Sequence, residues 1–142
     1  MLLGMLAVLL AAVIAHLNIR ETADYSIQLH LKFIGSSIYQ YHSLTGHWPH
    51  RVEELAITSL PLQSPYWKVM IDAGTNVVVW RDDLNPDPLQ NAHFVLAFHN
   101  KGLLAWMGRR WVCWGDLRTE YIPNRKLREA LQGARGMTAA AP

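Results

Sequence analysis

The order of apolar and polar positions divides the chain into three stretches. Met1 to Ile19, MLLGMLAVLLAAVIAHLNI, has no charged side chain, and its first strongly polar residues are His16 and Asn18. A helix of about 18 such residues spans about 27 Å, enough for the hydrocarbon core of a bilayer. Two readings fit this run. One is a secretory signal cut after Val13-Ile14-Ala15; the other is a retained anchor. The absence of Lys or Arg ahead of the run weakens the signal reading, and with it any orientation cue from flanking charge. We expect an uncleaved anchor over residues 1–19.

The second stretch is one-sided. Ile27, Leu31, Ile34, Ile38 and Tyr41 recur at intervals of 4, 3, 4 and 3, the stripe of an amphipathic helix. Arg20, Glu21, Asp24, Lys32 and Gln40 fall largely off it. No proline interrupts residues 2–45, so the anchor is expected to continue into this stripe as one long helix, softened in its middle at Gly35. Gly46 is placed to stop it, because glycine enters the left-handed region without penalty. Pro49 then permits a short second helix over Arg51 to Ala56.

Beyond residue 57 the period shortens. Trp67 to Ile71 and Val77 to Trp80 are β-type runs around Asp72-Ala73-Gly74-Thr75-Asn76, which predicts a hairpin. Residues 82–92 are rich in Pro, Asp and Asn and predict a loop. His93 to Phe98 and Leu103 to Met107 flank His99-Asn100-Lys101-Gly102, a second predicted hairpin, and Arg110 to Trp114 add one further strand. Asn124 to Gln132 predict a terminal helix stopped by Gly133, followed by a flexible tail over residues 137–142. The expected fold is therefore α+β: a long N-terminal helix, transmembrane then amphipathic, packed on a small antiparallel sheet in one domain over residues 20–136.

Composition sharpens this picture in two places. The chain of 142 residues is 51% hydrophobic, and its net charge of +2 gives no nucleic-acid signature. The charge is uneven, however. Residues 109–136 hold seven Lys and Arg against three carboxylates, a net of +4, which reads as a solvated surface or as a docking face for an acidic partner or anionic lipid. Cys113 is the sole cysteine, so an internal disulfide framework and every multi-cysteine metal or haem motif are excluded.

Candidate chemistry is sparse. Asp83-Leu84-Asn85-Pro86-Asp87 has the D-x-N-x-D spacing that wraps oxygens around calcium, so Asp83, Asn85 and Asp87 are the candidate ligands. Pro88 stands where that motif places glycine, and Phe94 where it places glutamate; a turn explains the same residues. The seven histidines form no HExxH pair. His42, His47 and His50 cluster around Gly46 and Pro49, but no carboxylate or cysteine is spaced to complete a metal site with them. Cys113 lies in an apolar run and reads as a buried thiol. No nucleophile elbow and no glycine-rich phosphate loop is present.

Two sets of residues point to contacts instead. Gly4, Ala7, Ala11 and Ala15 place small side chains about one turn apart in the anchor, a spacing that lets helices approach closely in lipid. Alternation in Trp111-Val112-Cys113-Trp114 puts bulk on both faces of a strand. One face is therefore expected to be covered by a partner, with Trp111, Trp114, Arg109 and Arg110 as the interface. The six tryptophans are expected at the sheet–helix seam, or at a membrane or partner surface.

Leu31-Lys32-Phe33-Ile34-Gly35, Ile38-Tyr39-Gln40-Tyr41-His42, Thr45-Gly46-His47-Trp48-Pro49 and Val52-Glu53-Glu54-Leu55 together resemble the type IV pilin-like superfamily. The nearest likeness is to type II secretion pseudopilins and to the pilin-like proteins of planctomycetes. Phe94 to Trp106 look like the strand–turn–strand that ends many such domains. The resemblance covers residues 2–107 and departs at the start: no basic leader precedes the apolar run, and with Gly4-Met5 as the cleavage junction, the family's registering glutamate is replaced by Leu9.

The resemblance implies a non-enzymatic, single-pass structural or assembly subunit of the bacterial inner membrane. Its partners would be the bilayer and the transmembrane helices of other subunits, with the head in the periplasm. The alternative is an accessory subunit of a respiratory or photosynthetic membrane complex, docking through its helix and head. No cofactor is implied, calcium aside, and no nucleic acid.

Overall fold

The computed structural model describes residues 2–58, 65–101 and 106–138; for residues 2–23, 65–67 and 133–138 the description is of the backbone alone. Helix α1 runs unbroken from Leu2 to Thr45. It ends as its sequence requires. Gly46 has φ +80° and donates its N–H to the His42 carbonyl at 2.8 Å, and Thr45 Oγ1 donates to the Tyr41 carbonyl at 2.9 Å. The chain then turns through buried Trp48 and Pro49 into a short 3-10 helix, Val52–Ile57, that buries Val52 and Leu55.

Four antiparallel strands follow in sheet order: β1 (Asn76–Val78), β2 (Val95–His99), β3 (Arg109–Trp114) and β4 (Thr119–Pro123). Helix α2 (Pro65–Asp72) precedes β1, and helix α3 (Asn124–Thr138) follows β4. The fold is α+β with a four-stranded antiparallel sheet. Helices lie on both of its faces. On one, α1 buries Leu31, Ile34, Ile38 and Tyr41 against Leu96, Ala97 and Cys113. On the other, Leu127 of α3 meets Val95, Val112, Trp114 and Ile122. The predicted stripe of α1 is thus its core face, with Ile27 packed at its edge.

Gly35 does more than soften the helix. A Cβ there would stand 2.9 Å from Leu117 Cδ2 and 3.0 Å from Cys113 Sγ, so its hydrogen lets α1 sit close on the sheet. Leu117 reaches that contact from the β3–β4 turn, where it adopts φ +65°.

Several predicted elements are corrected. Trp67 to Ile71 are helical, within α2, and no first hairpin forms. Pro65 supplies a helix start, Lys68 bonds Asp72 one turn on, and the helix ends on Gly74 at φ +65°. There the Thr75 and Gly74 N–H groups donate back to the Met70 and Ile71 carbonyls. Among the described residues, the strand that returns beside β2 runs from Arg109 to Trp114. Trp106 and Met107 lie outside the sheet and Gly108 turns the chain at φ +78°; residues 102–105 fall outside the described residues. β4 was not expected at all. The terminal helix passes through Gly133 to Thr138, because one glycine in a helix costs only about 1 kcal/mol and nothing there forces a stop.

Among the described residues no helix is long and apolar enough to cross a membrane. The predicted anchor, with Gly4, Ala7, Ala11 and Ala15, falls on residues whose side chains lie outside the description.

Candidate functional site

The histidine-rich stretch after α1 is a packed joint. The His42 ring stacks on Trp48 at 3.9 Å and 22°, and Tyr39 meets the same indole edge-on at 5.5 Å. His47 lies edge-on to Tyr41 at 5.3 Å. His50 donates its backbone N–H to Glu54 Oε2 at 2.8 Å, and its Nε2 lies 3.4 Å from Asp82. That backbone hydrogen bond is the leading reason the Glu54 carboxyl is held below its ordinary range. The three rings serve the turn and do not converge on a common point. Among the described residues, no group of three or more His, Cys, Asp or Glu is placed to hold a metal ion.

The calcium candidates are also occupied locally. Both oxygens of Asp83 accept from Arg81, the leading reason its carboxyl is held low, and the Arg81 guanidinium lies 4.0 Å from the Phe94 ring centre. Asn85 Oδ1 accepts from the Asp87 N–H, and Asp87 Oδ1 caps the short 3-10 helix Pro88–Asn91 by accepting from the Leu89 N–H. These are turn-forming bonds, as Asp and Asn supply elsewhere.

A buried polar hub lies just behind that loop, and sequence reasoning missed it. Asn91, 1% exposed, donates through Nδ2 to Tyr39 Oη and to the Asn85 carbonyl, each at 2.7 Å. Its Oδ1 accepts from the Asn85 N–H at 2.9 Å, and Tyr39 Oη donates onward to the Gly115 carbonyl at 2.7 Å. One tyrosine and one asparagine thereby tie α1, the 82–92 loop and the β3–β4 turn together. Burial is the main reason the Tyr39 hydroxyl titrates above its ordinary value. Gly115 has no room for a side chain: a Cβ would run into the Asn91 backbone. Nothing in the spacing of Tyr39, Asn91 and Gly115 announces this meeting, which depends on tertiary geometry.

The residues of the expected partner interface take different places in the fold. Trp111 and Cys113 do face one side and Val112 and Trp114 the other, but the second side is covered by the chain's own α3. Trp114 is 4% exposed, with the Arg118 guanidinium 4.9 Å and the Lys126 ammonium 5.7 Å from its ring. Trp111 is half-buried on the α1 side and donates its indole N–H to Asp24 Oδ1 at 3.1 Å. Arg109 remains exposed, lying over the Tyr121 ring and donating to the Tyr121 carbonyl at 2.9 Å. Arg110 is half-buried and donates to the Arg109 carbonyl.

Cys113 is fully buried, and burial pushes its thiol up to about 12, so no thiolate forms near neutral pH. Neither a family model, nor a curated protein, nor a solved structure matches the chain.

Proposed function

We propose that the chain is a non-enzymatic, membrane-anchored structural or assembly subunit of pilin-like architecture. Residues 1–19 hold it in a bacterial inner membrane, and the head lies in the periplasm. One observation carries this reading: a single helix, Leu2–Thr45, joins an uncharged apolar run to a stripe buried under an antiparallel sheet. An element of that kind couples lipid to a protein head without a flexible link. The glycine-capped joint at Gly46 and Trp48 adds support, since the resemblance to pilin-like proteins rests partly on those residues. Leu9, at the family's glutamate position, favours a second reading: an accessory subunit that uses the same parts to dock on a larger respiratory or photosynthetic complex.

Mild detergent extraction followed by native mass analysis tests both. Recovery with secretion-type components is expected for the first reading, and stoichiometric recovery with a pigment or redox complex for the second. Recovery from the aqueous fraction as a lone, catalytically active monomer would overturn the proposal.

A further inference from the structure

The head has two ends, and one of them faces the apolar half of α1. The helix and β3 run in the same direction, as three contacts establish. Asp24 bonds Trp111, Gly35 abuts Cys113, and Tyr39 bonds the Gly115 carbonyl. Moving down β3 from Trp111 to Arg109 therefore moves down α1 towards its N-terminus. Two strand residues cover about 7 Å, which brings Arg109 to the level of α1 residues before Asp24, towards the end of the apolar run.

The residues at that level have the composition of a bilayer interface. Trp106 is 84% exposed, Met107 58% and Tyr25 67%, the last on α1 itself. Lys101, Arg109 and Arg125 are exposed at the same end, since Asn100 follows β2, Arg109 opens β3 and pairs with Pro123, and Arg125 lies in the first turn of α3. The nearest described carboxylates are engaged: Asp24 by the Trp111 indole, Asp72 by Lys68, Glu129 by Arg125. Exposed indole, thioether and phenol are costly in water, and beside the exposed cations Lys101 and Arg109 they suit the zone where apolar rings meet lipid phosphates. At the far end of the head the exposed Leu89 stands beside acidic turns, with Asp82 and Asp87 close in sequence.

We propose that Trp106 and Met107, flanked by Lys101 and Arg109, form a seat that rests in the headgroup layer of an anionic bilayer. The seat fixes the tilt of the head on its helix. It rests on the anchor reading above, and its test separates the two.

The full chain is placed in nanodiscs of phosphatidylcholine with phosphatidylglycerol. A polarity-sensitive thiol dye is attached in turn to Met107→Cys, Leu89→Cys and Ala11→Cys; buried Cys113 stays unlabelled. Lipids carrying a quencher at the headgroup or deep in the acyl chain report position. The label at 107 should be quenched several-fold more by the headgroup quencher than the label at 89, and the label at 11 by the deep quencher. Adding Trp106→Ala with Lys101→Glu should return the 107 label to the level of 89. Quenching at 11 with none at 107 overturns the seat and leaves the anchor. Quenching at 107 with none at 11 overturns the anchor and leaves a peripheral seat. A 107 label shielded only when two chains share a disc assigns the patch to a second copy and overturns the lipid seat.

Discussion

The two faces of the sheet are covered by helices of opposite character. On one, α1 contributes Leu31, Ile34, Ile38 and Tyr41, and the joint adds Trp48, Val52 and Leu55. That cover comes from far away in sequence and is brought close by Gly35. On the other face α3 follows β4 directly and meets a cluster whose buried members are Val95, Val112, Trp114, Ile122 and Leu127. Its exposed side carries Arg125, Lys126, Arg128 and Glu129. The deep face should therefore hold the fold, while the shallow face completes it and opens at lower free energy.

The largest expected effect falls on the shallow face, because its cluster includes the bulky indole of Trp114, which is 4% exposed. Trp114→Ala should lower the stability of the detergent-solubilised chain by about 3–5 kcal/mol, read from urea unfolding. Unchanged stability with weakened recovery of a partner would mean that the indole is not covered by α3. Truncation on the two helices sharpens the contrast. Leu31→Ala should cost about 3–4 kcal/mol and Leu127→Ala about 2 kcal/mol, since Leu31 is wholly buried and Leu127 retains some exposure. In hydrogen exchange, Leu31→Ala should speed β2 and β3 amides, whereas Leu127→Ala should speed α3 alone. Equal exchange in β2 for both would erase the distinction between the faces.

A smaller effect is expected where the deep face meets its polar hub. Tyr39→Phe removes the hydroxyl that donates to Gly115 and accepts from Asn91. The loss should be about 1–2 kcal/mol, with faster exchange in the β3–β4 turn and unchanged exchange in α3. A larger loss spread over the whole sheet would show that the hub, rather than the apolar stripe, organises the α1 face.

How much of this was legible in the sequence depended on the range of the cause. The α1 stripe and its Gly46 stop were readable, because a 3.6-residue period and a left-handed glycine act within a few residues of themselves. The alternation of Trp111 to Trp114 was readable for the same reason, but what covered each face was not. α3 was expected as a short terminal helix, and its few apolar positions gave no sign that Leu127 would meet Trp114. Trp67 to Ile71 misled because a short apolar run has no period of its own, so Pro65 and the Gly74 cap decided the matter. β4 offers only Tyr121 and Ile122 as apolar residues, and it pairs because β3 presents an open edge. The Tyr39–Asn91–Gly115 hub joins residues that no local rule connects.

The smallest predicted effect lies at the end of the sheet nearest the proposed seat, where the deep face ends. His99 Nδ1 lies 2.9 Å from Oδ1 of buried Asn76, and the side chain faces Arg110 and His30. Burial holds its pKa below the ordinary value, against the opposing pull of a hydrogen bond with the Lys101 backbone, and nearby Arg110 and His30 add to the lowering. The folded chain therefore takes up this proton at lower pH than the unfolded chain. Above the ordinary histidine value of about 6.5 both states are neutral and the group contributes no slope. As pH falls from there towards the folded value, the unfolded chain binds more protons, and stability declines. His99→Gln can still bond Asn76 but cannot titrate. It should flatten the fall in urea midpoint between about pH 7 and pH 5, leaving the midpoint above pH 7 almost unchanged. A midpoint that instead rises on acidification in the unsubstituted chain would place a carboxylate against His99, and would move the acidic end of the head to the side where the seat requires a basic one.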